Sequence, residues 1–306
     1  MKRGLTCALC GMGMLVLILD SPTALTGAAD GVCLCLRTLI PGLFPFFVLS
    51  ALLTAALPRG GLIAAGILGG YPVGARGAAQ AYRTGQLTRQ EAQRMAVLCN
   101  CPGPAFIFGV AGQCFSPGQT AMLWAVYLFS VVCLWLVLPG SVSASPPRKE
   151  VSLNDAVAGS IRAIGGVCGW VVLMRTLLAV VERWFLWFFP RWAQAAICGI
   201  LELTNGMLML RDVEEPLRFV LAAGMLGFGG ICVTMQTLGV AQGLRLRLYF
   251  PGKLFQGCVC IVLSALVMGT ALPLPAWAWL AVLGSGCVIK LRKKENSYGN
   301  LRTVGV

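Results

Sequence analysis

A chain of 306 residues, 58% hydrophobic and 11% charged, with a mean hydropathy of +0.81, carries apolar stretches almost from end to end and belongs in a bilayer. Its formal charge of +13 sits in short Lys/Arg clusters between those stretches; this is positive-inside bias and not a phosphate-tracking groove, so no nucleic-acid partner is expected. His is absent, which removes histidine-based zinc sites, Ser-His-Asp triads and histidine proton relays together, and the 14 Cys, scattered through apolar runs without paired CxxC knuckles, read as small buried hydrophobes in a reducing compartment.

In chain order, Lys2-Arg3 and the apolar run 5–19 have the outline of a signal peptide, but "DSPTALTGAAD" is only a loose cleavage site and more apolar runs follow, so an uncleaved first helix is expected. Ser21-Pro22 and Ser116-Pro117 each read as an N-cap followed by Pro at the first helical position. Residues 22–40 read as an interfacial helix, which makes 1–40 an N-terminal unit. Segments of spanning length, or close to it, are expected at 41–57, 118–139, 161–181, 184–204, 217–240, 254–272 and 275–291, with interrupted apolar regions at 61–80 and 95–112. "GSVSASPPRKE" (140–150) is a polar linker between two halves, 41–139 and 151–289, and the basic tail 290–306 is expected in the cytoplasm.

The interruptions carry the chemistry. Non-helical backbone survives in hydrocarbon only where protein or a water-filled cavity satisfies it. Around Tyr71 and Pro72 the sequence "GGYPVG" cannot form a straight helix, because Pro72 lacks a donor and disfavours a helical Tyr71; it reads as the tip of a re-entrant hairpin. Thr88-Arg89-Gln90-Glu91 is a capping box that starts a helix of about 14 residues, roughly 21 Å and too short for a core of about 30 Å. Pro-Gly-Pro after Cys101 breaks it, and a second half-helix from Ala105 would leave Asn100 and freed carbonyls at mid-membrane. In the second half Glu202, Thr204 and Asn205 lie in the apolar stretch "AAICGILELTNGMLML" with Gly206 as the expected turn, and "GFGG" followed by Gln236 reads as the second broken helix.

Each half therefore offers a polar break, a charged connector and a second polar break. The first connector, 76–94, has four arginines against one glutamate, whereas the second, 207–220, has two arginines against three acidic residues. Opposite bias at equivalent positions is what an inverted-topology repeat predicts, with the first connector cytoplasmic. Arg76, Gln80 and Arg83 share one helical face, read either as a solvated cytoplasmic face or as an attractor for an anionic solute. Trp184, Trp187, Trp192, Trp277 and Trp279 sit at segment ends as interfacial belts; Tyr71 stands apart in its hairpin. The expected fold class is all-α: a polytopic membrane protein with inverted repeats, re-entrant hairpins and broken transmembrane helices.

In order along the chain, "GGYPVGAR", a G-x-L-T-x-x-E-A run, "CNCPGPAFIFG", "ELTNG" and "GFGGICVTMQ" resemble the YlbJ-type sporulation integral membrane proteins of the nucleoside-recognition (Gate) domain family, related in architecture to concentrative nucleoside transporters. The resemblance covers roughly 40 to 270. It implies helical hairpins and broken helices meeting at a central solute site, and, in the sporulation branch, passage of dipicolinic acid across the membrane surrounding the forespore. By position it assigns to that site Tyr71, Pro72, Gly74, Asn100, Gly103, Pro104, Glu202, Thr204, Gly206, Gly229, Gly230 and Gln236; Asn205 joins them from its place beside Glu202. Two positions depart from the family pattern, Cys101 and Cys232, each standing where a residue with more hydrogen-bonding capacity is usual.

The expectation is a transporter or permeation protein for a small polar, anionic organic solute in a bacterial cell membrane or forespore membrane, with no metal and no cofactor. An ionised Glu202 would suit a coupling cation better than a dicarboxylate. Two alternatives stay open: a nucleoside-type transporter, and a non-transporting assembly protein that holds membrane partners or further copies of itself together. An intramembrane enzyme would need Glu202 as base with Cys99, Cys101 or Cys232 as nucleophile, and no spacing favours it, so no enzymatic activity is expected.

Overall fold

A computed structural model describes residues 2–56, 60–138, 151–270, 284 and 286–288. The expected linker at 140–150 and the tail from 290 lie outside the described residues, as does the apolar segment 275–291 but for those last few positions. Among the described residues the regular elements are helices. Five are long and apolar enough to cross a membrane: Ser21–Leu53, Pro117–Val137, Leu153–Trp184, Leu217–Val240 and Tyr249–Val267. The chain is an all-α, multi-pass integral membrane protein.

Helix α1 (Lys2–Leu19) exposes Met12, Met14, Leu15, Ile18 and Leu19, as a lipid-facing helix does. Next come α2 (Ser21–Leu34), a π-helical segment (Cys35–Leu39) and α3 (Ile40–Ala56) without an intervening loop. The separate interfacial helix expected at 22–40 is thus part of one continuous apolar helix. Gly27 and Gly31 seat α2 against α9 (Leu153–Trp184), where a Cβ on Gly27 would meet Ala179 Cβ at 2.7 Å and one on Gly31 would meet Val172 Cα at 2.9 Å. The N-cap moves one residue back from the expected Ser21, to Asp20. The Asp20 carboxylate accepts from Trp184 Nε1 at 2.9 Å and pairs with Arg183 Nε at 3.1 Å, tying this end to the end of α9.

The rest of the first half is α4 (Gly60–Gly69), α5 (Val73–Arg83), α6 (Arg89–Leu98), α7 (Pro104–Gly109) and α8 (Pro117–Val137). The second half runs α9, α10 (Arg191–Leu201), α11 (Leu203–Met209), α12 (Leu217–Phe228), α13 (Gly230–Val240) and α14 (Tyr249–Val267). Both halves order their elements alike, from a long helix through two split pairs to another long helix. The expected caps form: Glu91 N donates to Thr88 Oγ1 while Thr88 N donates to a Glu91 carboxylate oxygen, and Ser116 and Gln119 repeat the box at α8. Helix α6 has only 10 residues, about 15 Å at 1.5 Å per residue, half the thickness of the hydrocarbon.

Three further sequence expectations need correction. The stretch 184–204 is not a single span: α9 continues to Trp184, a short aromatic turn (Leu186–Phe188) follows, and α10 has 11 residues, about 16 Å. The turn after α10 falls at Glu202 and not at Gly206, because the Glu202 carboxylate caps α11. Helix α14 begins at Tyr249 and not at 254, since Pro251 is tolerated in a first turn that needs no donor there. Lys253 is thereby brought inside a membrane-crossing helix, which already held Gln256.

Candidate functional site where the helix breaks meet

The first break, Gly70-Tyr71-Pro72, separates α4 from α5, which pack against each other as a hairpin; its Tyr71-Pro72 bond is cis. Behind the tip, Gly66 and Gly74 lie against the Cys99 carbonyl so closely that a Cβ on either would collide with it. The second break, at 99–103, crosses the first: a Cβ on Gly103 would meet Gly70 N at 2.8 Å and the Leu68 carbonyl at 3.0 Å. In the second half α10 and α11 form the matching hairpin with Glu202 at its tip, and Gly206 rests on the backbone of Gly199 across it. The fourth break is the pair Gly229 (φ +81°) and Gly230 (φ +79°), a left-handed conformation that only glycine adopts cheaply twice in a row.

Breaking a helix orphans backbone groups, and here side chains reach backbone groups at the second, third and fourth breaks, while at the first Val73 N donates to the Gly70 carbonyl at 2.9 Å. The Tyr71 hydroxyl, at the first-half tip, donates to the Leu226 carbonyl at 2.9 Å, a group that the Gly229 break frees in the second half. In the opposite sense Lys253 Nζ, from α14, donates to the Asn100 carbonyl at 2.7 Å. Asn100 Nδ2 donates to Thr237 Oγ1 at 3.0 Å and to the Tyr249 hydroxyl at 2.7 Å. Glu202 serves its own hairpin: one carboxylate oxygen accepts from Thr204 N at 3.0 Å, the other from Asn205 N at 2.7 Å and Asn205 Nδ2 at 2.9 Å. Cys101 and Cys232 also find partners, Cys101 Sγ donating to the Leu98 carbonyl at 3.3 Å and Cys232 Sγ accepting from Gln236 Nε2 at 3.2 Å.

A cavity of about 60 Å³ lies where the breaks meet, lined by Gly70, Tyr71 and Gly103 from the first half and Glu202, Thr204 and Gln236 from the second, with Val167 and Val171 of α9 closing one side. Two larger clefts lie along α9, one lined mostly by its first half and one by its last. One, of about 380 Å³, is lined by Arg76, Arg83, Arg162, Trp170 and Gln242, and shares Gln236 with the central cavity. The other, of about 830 Å³, is lined by Arg175, Glu182, Arg191, Gln194 and Asp212 together with Asn205, the neighbour of Thr204. Arg162 and Glu182 are twenty residues apart on α9, roughly 30 Å along its axis, which is the thickness of a hydrocarbon core.

Of the residues singled out from sequence, Tyr71, Gly103, Glu202, Thr204 and Gln236 thus come together at one cavity. Pro72 and Pro104 stand at the starts of α5 and α7. Gly74 and Gly206 are close-approach points between backbones, Gly229 lies under the Tyr71 ring edge and Gly230 against the Gly199 carbonyl. Asn100, fully buried, does not line the cavity. Arg76 is not on a freely solvated face: it sits over the Phe47 ring at 5.9 Å and donates to Ser160 Oγ at 3.4 Å.

Sequence reasoning missed the buried group around Lys253: Tyr127, Thr237, Tyr249 and Gln256. The signal was present as "YFPGKLFQG", in which Tyr249 and Lys253 (i, i+4) and Gln256 (i+3 again) share one helical face. The apolar run was read as starting just after the lysine. Arg162 was missed for the opposite reason, because a single arginine near the end of an apolar segment looks like an ordinary boundary charge.

The chain is similar to the sporulation integral membrane protein YlbJ of Bacillus subtilis (strain 168), at 25% identity, with 76% of this chain and 74% of that protein covered. No family model matches. No solved structure matches either.

Proposed function

We propose that this chain is a transporter for a small anionic organic solute, dipicolinate being the candidate substrate, and that its two halves are inverted repeats which rock against each other about the central cavity. The observation that carries the reading is the alignment of three cavities along α9, with Gln236 common to two of them and the helix breaks of both halves at the middle. Broken helices with freed backbone at mid-membrane are the usual means by which transporters hold a solute. The sequence similarity to a sporulation membrane protein agrees with a role in spore formation.

The charge of the solute is argued from the clefts. Arg76, Arg83 and Arg162 line one with no acidic side chain among them, and in the other Arg175 and Arg191 balance Glu182 and Asp212. Glu202 does not oppose an anion as a bare carboxylate would, because its oxygens are occupied by the N-terminus of α11. The basic cleft is assigned to the cytoplasmic side by the positive-inside bias. A volume of about 60 Å³ holds no aromatic dicarboxylate, since pockets for small organic ligands run to about 300 Å³ or more. The hairpin tips at Tyr71 and Glu202 must therefore part for the solute to pass.

Binding tests this reading. Purified protein in nanodiscs is expected to be stabilised against heat by dipicolinate in a saturable way and not by uridine, with Arg162→Gln and Gln236→Ala each weakening the response roughly tenfold, the worth of one charge-assisted or buried hydrogen bond. A response to uridine alone would move the assignment to a nucleoside-type transporter. No response to either solute, with both variants supporting spore formation as the wild type does, would favour a protein that assembles partners and moves nothing.

A further inference from the structure

Lys253 lies in the membrane-crossing part of α14 and is 1% exposed. A charged side chain at such depth is costly and calls for a partner, yet among the described residues no carboxylate pairs with it. Its three ammonium hydrogens are matched by three oxygens: the Asn100 carbonyl at 2.7 Å, Gln256 Oε1 at 2.9 Å and the Tyr127 hydroxyl at 3.4 Å. Two aromatic faces add to these, the rings of Tyr71 at 5.7 Å and Tyr127 at 5.9 Å, within the range at which a cation is attracted to a ring. Gln256 is itself held by donating to Ser130 Oγ at 3.1 Å, which aims its carbonyl oxygen at the lysine.

A freed main-chain carbonyl, a side-chain carbonyl and a hydroxyl around one positive charge are oxygens of the kind that ligate a monovalent cation. No hydrogen on Nζ is left over for a solute. We propose that Lys253 is a tethered cation: its ammonium fills, from within the chain, a monovalent-cation site at the Asn100 break and pins that break to α14. Resting on the transporter reading, it follows that no co-transported sodium or potassium ion binds at the Asn100 break. A free cation has no vacant place at this break, because the chain brings its own.

The experiment removes the tether and offers a free cation in its place. Full-length protein in nanodiscs, wild type and Lys253→Ala, is compared in choline, sodium, potassium, ammonium and methylammonium chloride at equal ionic strength. Two readouts are taken, the thermal midpoint and the alkylation rates of Cys99 and Cys101, which flank Asn100 and are buried. Expected is a wild type indifferent to the ion. Lys253→Ala should have a lowered midpoint and several-fold faster alkylation in choline, both returning toward wild type as ammonium or methylammonium saturates the opened site. Lys253→Gln, which fills the space without a charge, should be lowered likewise and show no ion response.

Loss of stability in Lys253→Ala that no cation restores would overturn the proposal, as would a Lys253→Gln protein with the wild-type midpoint. If Lys253→Ala yields no folded protein, Lys253→Gln and the wild type decide: a wild type whose Cys99 and Cys101 alkylation is slowed by sodium or potassium over choline rules the tethered cation out. Neither readout needs transport. Cation rescue in a protein that moves no solute would thus sink the transporter reading alone, while transport without rescue would sink only the role given to Lys253.

Discussion

The Tyr71 hydroxyl joins the two halves through one hydrogen bond, to the Leu226 carbonyl that the Gly229 break leaves without a helical partner. Tyr71→Phe keeps the ring, its packing and the cavity wall, and orphans a buried carbonyl. The expected cost is about 1–3 kcal/mol of stability, read as a lowered thermal midpoint. An unchanged midpoint would mean that the Tyr71 bond does not brace the fourth break. The polar residues Asn100 and Glu202 were conspicuous in sequence because each interrupts an apolar run. Their contacts were not legible. Asn100 spends its amide on Thr237 and Tyr249, 137 and 149 residues away, and nothing local indicates such partners. Glu202 caps its own hairpin only because the chain turns at that residue, and the turn had been placed at the nearest glycine.

At the scale of the helices, the hairpins and breaks depend on backbones approaching more closely than any side chain permits. Gly74 of α5 abuts the Cys99 carbonyl, whereas Gly118 in the first turn of α8 has open space where a Cβ would go. Gly74→Ala is expected to abolish the recovery of folded protein or lower its midpoint severely, and Gly118→Ala to leave it unchanged. Equal tolerance of both would contradict the crossing of the first two breaks. Element positions were largely legible because their signals are local: capping boxes at Thr88 and Ser116, Pro72 at the first tip, Pro-Gly-Pro at the second break and paired glycines at the fourth. The continuous helix from Ser21 and the early start of α14 were hidden, since a few polar residues within an apolar run look like a boundary until packing against α9 or the Asn100 break supplies them with partners.

Across the whole molecule, three cavities follow one another along α9. Arg162 marks the basic cleft, Val167 and Val171 the central cavity, and Arg175 and Glu182 the far cleft. No sequence window of ordinary length contains this order, because the opposing walls come from α5, α11 and α13. The sequence pointed to a central site between two halves; the clefts on either side of it became visible only once those elements were placed around α9. The account stands on the claim that an anion crosses here. The most direct test is uptake of labelled dipicolinate, with uridine as comparator, into liposomes containing the purified chain, wild type beside Gln236→Ala and Arg162→Gln. The account predicts saturable dipicolinate uptake that falls at least severalfold in both variants, with no uptake of uridine. Uptake of uridine alone, or of neither solute by protein shown to be folded in the same liposomes, would contradict it.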